Sequence, residues 1–494
     1  DGSWEGYDNW SGGIRNPGSL HSLITNNVIL GINQDSNGGV VGIESHDSEI
    51  FDNTITIVGR ENNMCTAIYA DRSVIRGNAL DVTLNTECDA NEFSPYALRS
   101  HGSAENQSLI EGNAIVAYGC AWGMNTINAE VVDNTIQLNT GNPAVILGSS
   151  SFLLIDNNAI TSSGIAIDTW GGVDTLVITG NTIASNATAI NLTSSGVLVS
   201  HNLIESQGRG VQISSQSGGE VVNNTIVSPN SADYGIHISN LTAPVVQNNI
   251  VEGFANGIYA ENDLQNYFIQ NNNLWNISGD LFSGTAMPPL VGEMIDLNLN
   301  GDECDIYSNL NLDPLFVNPD SADYTLQLAS PCINAGSEGS ELDPDGTIAD
   351  IGAFYNPIPY GCTDPAAANY DEDAYLDNGT CLYGGCMYAD ACNFDPEATI
   401  DDESCDFSCL TTGCSDEAAI NYDVFADGSN NGGCLFIGCQ DETALNYDVS
   451  ANYPGLCEYL ELCPGDFSGD GLVDIVDLLD LFTMWDDVCP WIVD

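Results

Sequence analysis

The residues best placed to do chemistry are oxygen-bearing side chains near the C-terminus of the sequence. Positions 1, 3, 5, 9 and 12 of one twelve-residue segment are Asp466, Ser468, Asp470, Asp474 and Asp477. Position 6 is Gly471, which permits a sharp turn, and Leu472 at position 7 would contribute its backbone carbonyl. Oxygen ligands at these spacings are the set that Ca²⁺ takes in proteins. The sequence therefore predicts a calcium site formed by Asp466, Ser468, Asp470, Leu472, Asp474 and Asp477.

The segment resembles an EF-hand loop. Because position 12 is Asp477 rather than glutamate, it resembles the loop of a dockerin repeat more closely than that of calmodulin. Apolar residues follow at helical spacing and predict an exiting helix: Ile475, Leu478, Leu479, Phe482 and Trp485. A dockerin carries two such loops and this sequence has one, so the resemblance implies calcium binding without implying a cohesin partner. We expect Cys463 and Cys489, which bracket the loop and helix, to pair.

The charge of the chain limits its partners. The 494 residues include 70 acidic and 6 basic ones, a formal net charge of −64, and all six basic residues are arginines. The last arginine is Arg209, so the following residues carry no lysine or arginine. Such a surface repels nucleic acid and anionic lipid. No run of about 20 apolar residues predicts a membrane span. We therefore expect neither nucleic-acid binding nor membrane insertion.

The cysteines indicate a disulfide-bonded, extracellular or cell-surface protein. Four acidic units of about 25 residues each open on Gly-Cys and close on a second cysteine. Because units of this size build little core, each needs a covalent bond. The spacing predicts the pairs Cys362–Cys381, Cys386–Cys405, Cys414–Cys434 and Cys439–Cys457, with Cys392–Cys409 as an additional bridge. We also expect the pairs Cys65–Cys88 and Cys304–Cys332, which leaves Cys120 as the free thiol.

These units resemble the Gly-Cys-Thr-Asp-Pro repeats that end many secreted proteins of marine Bacteroidota. The resemblance implies secretion and says little about function. The acidic loops of the units offer further calcium ligands, or are simply solvated: Asp371, Asp373, Asp401, Asp402, Asp423 and Asp427.

A longer repeat precedes these units. The segment Asn-x-(Ile/Leu/Val/Trp) recurs 21 to 26 residues apart, with one excursion of 35 residues between Asn78 and Asn113. The repeated asparagines are Asn27, Asn53, Asn78, Asn113, Asn134, Asn158, Asn181, Asn202, Asn224, Asn249 and Asn273. Aliphatic residues stand three before and two after nearly every one, a period-2 pattern that predicts two strands meeting at a corner. Stacked at the same corner, the amides would bond their own turn and the next coil.

These residues resemble the right-handed parallel β-helix, or pectin-lyase-like, superfamily. The predicted fold is all-β: a right-handed parallel β-helix of about 11 or more coils, then disulfide-stapled repeats and one EF-hand-like loop and helix. The predicted boundaries are 1–26 for an N-terminal cap or subunit contact, 27–355 for the β-helix, 356–459 for the four repeats and 460–494 for the calcium loop.

The resemblance directs a search for catalytic residues to the β-helix. Polygalacturonase-like members use clustered aspartates, and pectate-lyase-like members use Arg or Lys beside calcium-binding acids. This sequence has no lysine and no Asp-Asp pair before residue 401. Arg99, His101 and Glu105, in the excursion between Asn78 and Asn113, are the candidate catalytic residues. The alternative interpretation is a surface loop in which the arginine pairs with a neighbouring acid.

Three functions fit these features. The first is an extracellular structural or adhesive surface protein, with Ca²⁺-dependent head-to-tail assembly favoured by the arginines near the N-terminus and the acidic C-terminal half. The second is a secreted polysaccharide lyase or hydrolase. The third is a carbohydrate-binding protein without turnover, which exposed tryptophans would permit: Trp4, Trp10, Trp122 and Trp170.

Overall fold

The fold comes from a computed structural model of the chain, which divides into two compact units, residues 1–357 and 358–494. The described residues are 11–16, 21–32, 39–59, 65–84, 95–214, 218–239, 244–261, 268–285, 287–357, 359–377, 379–389, 391–406, 414–424, 426 and 433–459. The predicted calcium loop and helix, residues 460–494, therefore lie outside the described part of the chain.

The first unit is a parallel β-helix built from three sheets, which we name A, B and C. Sheet A has twelve strands: Ser11–Asn16, Val40–His46, Cys65–Asp71, Tyr96–His101, Trp122–Ile127, Val145–Leu147, Ile167–Thr169, Ile190–Leu192, Val211–Ser214, Tyr234–Ser239, Asn256–Glu261 and Phe282–Ser283. Sheet B has eleven: Leu23–Thr25, Glu49–Phe51, Val74–Arg76, Ser108–Glu111, Ala129–Val132, Ser150–Asp156, Val173–Thr179, Val197–Ser200, Gly219–Val222, Val245–Gln247 and Phe268–Gln270. Sheet C also has eleven: Val28–Ile32, Thr54–Gly59, Ala79–Leu84, Ala114–Tyr118, Thr135–Asn139, Ala159–Ser162, Thr182–Ser185, Leu203–Ser206, Thr225–Val227, Ile250–Glu252 and Asn273–Trp275. Each coil adds one strand to each sheet, which confirms the predicted fold and coil number.

The corner between sheets B and C holds the predicted asparagine ladder. In a typical step, Asn134 N and Nδ2 both donate to Asn158 Oδ1 at 2.9 Å. Asn158 Nδ2 also donates to Asp156 O of its own turn at 2.9 Å and to Val131 O of the preceding coil at 2.8 Å. Each amide thus satisfies backbone groups that the bend would otherwise bury without partners.

The last predicted position of the ladder is wrong by one residue. Asn272, not Asn273, accepts from Asn249, and the ladder continues from Asn272 to Asn309. Asn273 is instead the first residue of a sheet C strand and donates to Leu312 O. With the register corrected, Ile269 stands three residues before the asparagine, and the aliphatic pattern has no exception at this coil.

A left-handed residue precedes every ladder asparagine and explains why so many of them follow Asn, Asp or Gly. Examples are Asn26 at φ 57°, Asp52 at φ 57° and Gly112 at φ 62°. Gly, Asn and Asp adopt this region at the least cost. The turn between sheets B and C therefore selects both residues of the dipeptide.

The β-helix begins earlier than the predicted boundary at residue 27. The strand Ser11–Asn16 is already in parallel register with Val40–His46, with Ile14 opposite Ile43. Residues 1–10, in which we placed part of a cap or subunit contact, lie outside the described residues.

The C-terminal part of the first unit packs back against sheet C. Two antiparallel hairpins form there, Asp296–Leu297 with Glu303–Cys304 and Phe316–Asn318 with Asp323–Leu326, and a short 3₁₀ helix spans Pro319–Ser321. Ala353 N donates to Thr225 Oγ1 at 3.0 Å. Sheet C is thereby covered at its last coils, where Ile250 is fully buried.

The second unit is a series of small disulfide-bonded loops, and all four pairs predicted from the spacing are confirmed: Cys362–Cys381, Cys386–Cys405, Cys414–Cys434 and Cys439–Cys457. Three units also close with a two-residue parallel ladder: Tyr360–Gly361 with Leu376–Asp377, Gly384–Gly385 with Ile400–Asp401, and Ile437–Gly438 with Tyr453–Pro454. Within the described residues, no helix is long and apolar enough to span a membrane.

Each disulfide is doubled by an asparagine amide. Asn369 Nδ2 donates to Thr380 O at 2.8 Å, and Leu382 N donates to Asn369 Oδ1 at 2.7 Å, so the amide bonds both residues that flank Cys381. Asn393, Asn421 and Asn446 make the same pair of bonds in the other units. We call this arrangement the asparagine clamp. It explains why each unit carries Asn before Tyr or Phe.

The cysteine predictions for the β-helix were wrong. Cys65, Cys304 and Cys332 are free and buried, because each packs inside the fold; Cys65 lies within the aliphatic core. Cys120, predicted to be the free thiol, is disulfide-bonded and only partly buried. Cys392 is also disulfide-bonded; its predicted partner Cys409, as well as Cys88, Cys463 and Cys489, lie outside the described residues.

Candidate functional site

The outward face of sheet A differs in chemistry from the other two sheets. Parallel register aligns one outward residue per coil, which we call the sheet A row: Arg15, Glu44, Tyr69, Arg99, Asn125, Ile146, Asp168, Asn191, Gln212, His237, Tyr259 and Ser283. The equivalent row of sheet C is mostly Thr, Ala and aliphatic: Val28, Thr54, Ala79, Ala114, Thr135, Ala159, Thr182, Leu203, Thr225, Ile250 and Asn273. Polar and aromatic groups are thus concentrated on one face.

Two of the three candidate catalytic residues lie together on this face. Arg99 Nε donates to His101 Nε2 at 3.3 Å, and Asn125 Oδ1 lies 3.2 Å from the same nitrogen. The guanidinium of Arg99 stands 5.4 Å from the ring centre of Tyr69, at cation–π distance. Glu105 is not part of this group, because it lies in the exposed loop that connects sheets A and B.

Carboxylates from neighbouring coils complete the group. Asp71 Oδ2 lies 3.2 Å from His46 Nδ1, and Asp71 Oδ1 accepts a 3.3 Å hydrogen bond from the backbone nitrogen of His101. His46 and His101 both meet the ring of Tyr69 edge-on, at centroid distances of 6.0 and 6.4 Å. We call His46, Tyr69, Asp71, Arg99 and His101 the histidine cluster.

The electrostatics of the cluster keep His101 neutral. Burial lowers the pKa of His101, and the positive charge of Arg99 lowers it further, against the opposing effects of Asn125 and Asp71. Burial and the charge of Asp71 raise the pKa of Tyr69. At neutral pH the cluster therefore presents a neutral imidazole, a protonated phenol and a permanently charged guanidinium.

Arg99 differs from the other arginines that the structure describes. Arg15, Arg72, Arg76 and Arg209 each form an ion pair with a carboxylate: Glu44, Asp47, Glu111 and Asp233, respectively. Arg99 has only His101 and Tyr69 as partners in the described part of the chain. The alternative interpretation, an arginine paired with a neighbouring acid, is therefore wrong for Arg99. Its remaining N–H donors face the outer surface of sheet A.

An aromatic group lies beside the cluster on the same face. Trp122 packs edge-on against Trp170 at 4.8 Å and against Tyr96 at 6.1 Å. Trp170 Nε1 donates to Asp168 Oδ2 at 3.0 Å, and Asp168 Oδ1 accepts from Asn191 at 2.8 Å. Trp170 remains 55% exposed despite its size. We call Tyr96, Trp122 and Trp170 the tryptophan platform.

A second aromatic group follows near the C-terminal end of the sheet A row. His237 stacks on Tyr259 at 4.7 Å with the rings 10° from parallel, and both contact Tyr234. Arg209 lies 5.7 Å from the ring centre of Tyr234. Burial and the charge of Arg209 lower the pKa of His237, whose Nδ1 is buried without a hydrogen-bond partner.

The carboxylates of the central face are engaged rather than paired with one another. Glu44 is bound by Arg15, Asp71 by His46, and Asp168 by Trp170 and Asn191. Acid hydrolysis of a glycosidic bond needs two carboxyl groups facing the scissile bond. Within the described residues, the central face of sheet A offers hydrogen-bond donors, acceptors and aromatic rings, which are the groups that bind sugars.

The predicted metal ligands Asp466, Ser468, Asp470, Leu472, Asp474 and Asp477 all lie outside the described residues. Within those residues, no group of three or more His, Cys, Asp or Glu side chains is arranged to hold a metal ion. The acidic loops of the second unit bond their own turns instead: Asp371 Oδ1 accepts from Asp373 N, and Asp402 Oδ1 from Ser404 N.

The sequence analysis missed most of this face. His46, Tyr69 and Asp71 lie on earlier coils than Arg99, and the tryptophan platform combines residues from coils up to 74 positions apart in the chain. The available signal was register: counting back from each ladder asparagine identifies the sheet A strand of every coil and its outward positions.

Comparison with known proteins agrees with this fold. A family model described as "Right handed beta helix region" matches residues 113–274. These residues run from the ladder position Asn113 to the sheet C strand Asn273–Trp275, the regular central part of the β-helix. The chain thus folds as a right-handed parallel β-helix. Searches of curated proteins and of solved structures found no match.

Proposed function

We propose that this chain is an extracellular adhesive protein whose sheet A face binds an extended polysaccharide. The observation that carries the proposal is the tryptophan platform, since Trp170 stays 55% exposed beside Asp168, Asn191 and Asn125. Aromatic rings next to a few fixed polar groups suit a sugar ring, which has apolar C–H faces and a polar edge. The disulfides support an extracellular location.

The geometry of the face supports a linear ligand. Outward residues of sheet A repeat at about 4.8 Å from coil to coil, a spacing close to the length of one sugar unit. The histidine cluster, the tryptophan platform and the second aromatic group lie along one straight row. A polysaccharide lying along the β-helix axis would meet all three.

The test is affinity electrophoresis of the whole chain in gels that contain xylan, laminarin, alginate or polygalacturonate. At least one polymer should retard the protein, and Trp170→Ala should remove about tenfold of the affinity. Phe268→Ala is the matched control, because Phe268 is also 55% exposed but lies on sheet B. Equal effects of the two substitutions, or no retardation by any polymer, would contradict the proposal.

A polysaccharide lyase is the second candidate, favoured by the neutral imidazole of His101 beside the guanidinium of Arg99. A lyase needs a base that takes a proton from the sugar and a cation that stabilises the carbanion. Incubation with polygalacturonate or alginate should then release unsaturated products that absorb in the ultraviolet. His101→Ala should abolish this release while leaving retardation in the gel unchanged. Binding without product formation would leave the adhesive function.

Calcium and self-association remain part of the proposal. Withdrawing Ca²⁺ would leave Asp466, Asp470, Asp474 and Asp477 as mutually repelling carboxylates, so a chelator should lower the melting temperature of the second unit. The exposed aliphatic residues of the first coil, Leu23, Val28, Leu30 and Ile32, support head-to-tail contact between copies. Electron microscopy in calcium tests this: filaments are expected, and dispersed monomers would end the idea.

A further inference from the structure

A second binding site is built into the C-terminal end of the first unit. A cavity of about 400 Å³ lies beside the last strand of sheet B. Three separate segments line it: the turn after that strand, at Gln270 and Asn271; residues 297–299 and 306–308; and residues 334–338.

The three segments are hydrogen-bonded to one another in pairs. Asn271 N donates to Tyr307 O at 3.0 Å, which joins the first segment to the second. Asn271 Nδ2 donates to Ala335 O at 3.1 Å, which joins the first to the third. Asn300 Nδ2 donates to Ile333 O at 2.8 Å, which joins the second to the third. Because its walls are fixed in this way, the cavity is preformed and a ligand need not order it.

One acceptor in the cavity wall has no partner. Asn334 Oδ1 is buried and makes no hydrogen bond within the described part of the chain. The residue is held by its backbone, because Asn334 N donates to Asp350 Oδ1 at 2.8 Å and φ is 53°. Buried polar atoms are nearly always paired in proteins. An unpaired oxygen in the wall of a preformed cavity therefore requires a donor from a ligand.

The lining defines the chemistry of that ligand. Most polar groups are uncharged: the amides of Gln270, Asn271, Asn298 and Asn334 and the hydroxyls of Ser308 and Ser337. Apolar contact is available at Leu297, Leu299 and Ile306, which are 62%, 67% and 45% exposed. The single charged group is the carboxylate of Glu338. An anionic ligand would meet no positive charge in this lining, and none follows Arg209 in the sequence.

We propose that this cavity binds a neutral saccharide, with a sugar hydroxyl donating to Asn334 Oδ1 and a C–H face of the ring packing against Leu299. The proposal goes beyond the polysaccharide face of sheet A and does not depend on it, because the two sites share no residue. The cavity admits one or two sugar rings, in contrast to the open row of sheet A.

Saturation-transfer NMR of the full chain with xylose, glucose, galactose, mannose and N-acetylglucosamine tests the proposal. At least one of these neutral sugars should bind, and galacturonate, as the anionic comparison, should not. Asn334→Gly should weaken binding about tenfold, because it removes the acceptor. Glycine also tolerates the left-handed backbone, so the variant keeps the fold.

Asn276→Gly is the matched control, since Asn276 is exposed, has φ 54° and does not line the cavity. It should leave binding unchanged, as should Trp170→Ala on sheet A. Leu299→Ala is the second variant and should weaken binding about fivefold. Absence of binding by all five sugars, equal binding of galacturonate, or equal effects of Asn334→Gly and Asn276→Gly would overturn the proposal.

Discussion

The two units use the same asparagine amide in opposite surroundings. In the β-helix, ladder asparagines such as Asn158 are 1% exposed and lie between rows of buried aliphatic side chains. In the second unit, the clamp residues Asn369, Asn393 and Asn446 are exposed. Each small unit there buries its two cysteines and one alanine such as Ala367. A hydrogen-bond network can therefore rely on a core where one exists, and needs a covalent bond beside it where the core is minimal.

Reduction should separate the two units most strongly. Closing a loop of 19 residues contributes about 3 kcal/mol, more than one buried alanine can supply. In a reducing agent, hydrogen exchange should therefore show loss of protection throughout residues 361–457. Sheets A, B and C should keep theirs even though Cys120 is reduced too, because their core rows stay buried.

The double variant Cys362→Ala/Cys381→Ala is the local form of this experiment. It should unfold its own unit and leave the unit stapled by Cys439–Cys457 protected. If the second unit stayed protected after complete reduction, the comparison would fail, since the clamp alone would then be sufficient.

A ladder substitution should damage the β-helix by an amount close to that of one disulfide. Asn158→Ala removes the acceptor of Asn134 N and Nδ2 and the donor to Val131 O and Asp156 O. Because these groups stay buried without partners, the free energy of unfolding should fall by about 3 kcal/mol. Urea denaturation followed by circular dichroism measures the loss.

The neighbouring residue provides the control. Asn157 is exposed and left-handed, at φ 51°. Asn157→Gly should change the free energy of unfolding by less than about 0.5 kcal/mol. Similar losses from the two substitutions would show that the turn, rather than the ladder, stabilises this corner.

The sequence predicted the fold because each coil repeats the same constraints. Ile155, Asn158 and Ile160 recur as a set, and a corner of that kind tolerates few other residues. The disulfides of the second unit were equally predictable, since each unit is short and carries its own pair. The error at Asn273 arose where two asparagines adjoin and the spacing alone cannot distinguish them.

The candidate site was only partly predictable, because coils differ in length. Arg99 and His101 lie two residues apart in one strand and were found together. Asp71 lies opposite His101 only through the register that places Tyr69 opposite Arg99, across the 35-residue excursion. Free Cys304 and Cys332 were mispaired because sequence spacing does not show that Cys332 Sγ accepts from Asn273 Nδ2 inside the core.

The clamp should contribute less than the ladder. Asn369→Ala removes two hydrogen bonds at an exposed position, so water can replace them, and we expect a loss of about 1 kcal/mol in the free energy of unfolding of its unit. Asn369→Asp keeps the acceptor for Leu382 N and should lose about half as much. The rate of thiol exchange at Cys381 reports the loosening directly. A loss as large as that of Asn158→Ala would remove the distinction between buried and exposed amides.

The pH dependence of the two units should have opposite signs. In the β-helix, burial and the charge of Asp313 raise the pKa of Glu252 to about 7, and burial raises that of Asp350 to about 6. In the second unit, hydrogen bonds from the Ser404 hydroxyl and amide lower the pKa of Asp402, and Ser450 does the same for Asp448. Buried carboxyls thus prefer to be neutral in one unit, and exposed ones prefer to be charged in the other.

These directions fix the windows in which stability changes. An acid whose pKa is raised in the folded state is deprotonated first in the unfolded state, so the β-helix should lose stability as pH rises from about 4.5 to 7. An acid whose pKa is lowered stabilises the fold above its unfolded value, so the second unit should lose stability only as pH falls below about 3.8. Hydrogen exchange from pH 3 to 8 resolves both. Glu252→Gln should flatten the first window and leave the second unchanged, making the β-helix on the order of 2 kcal/mol more stable than the parent at pH 8 after allowance for partial exposure. A parent and variant with parallel profiles would show that general repulsion among the 70 acidic residues, rather than this one buried carboxyl, governs the β-helix.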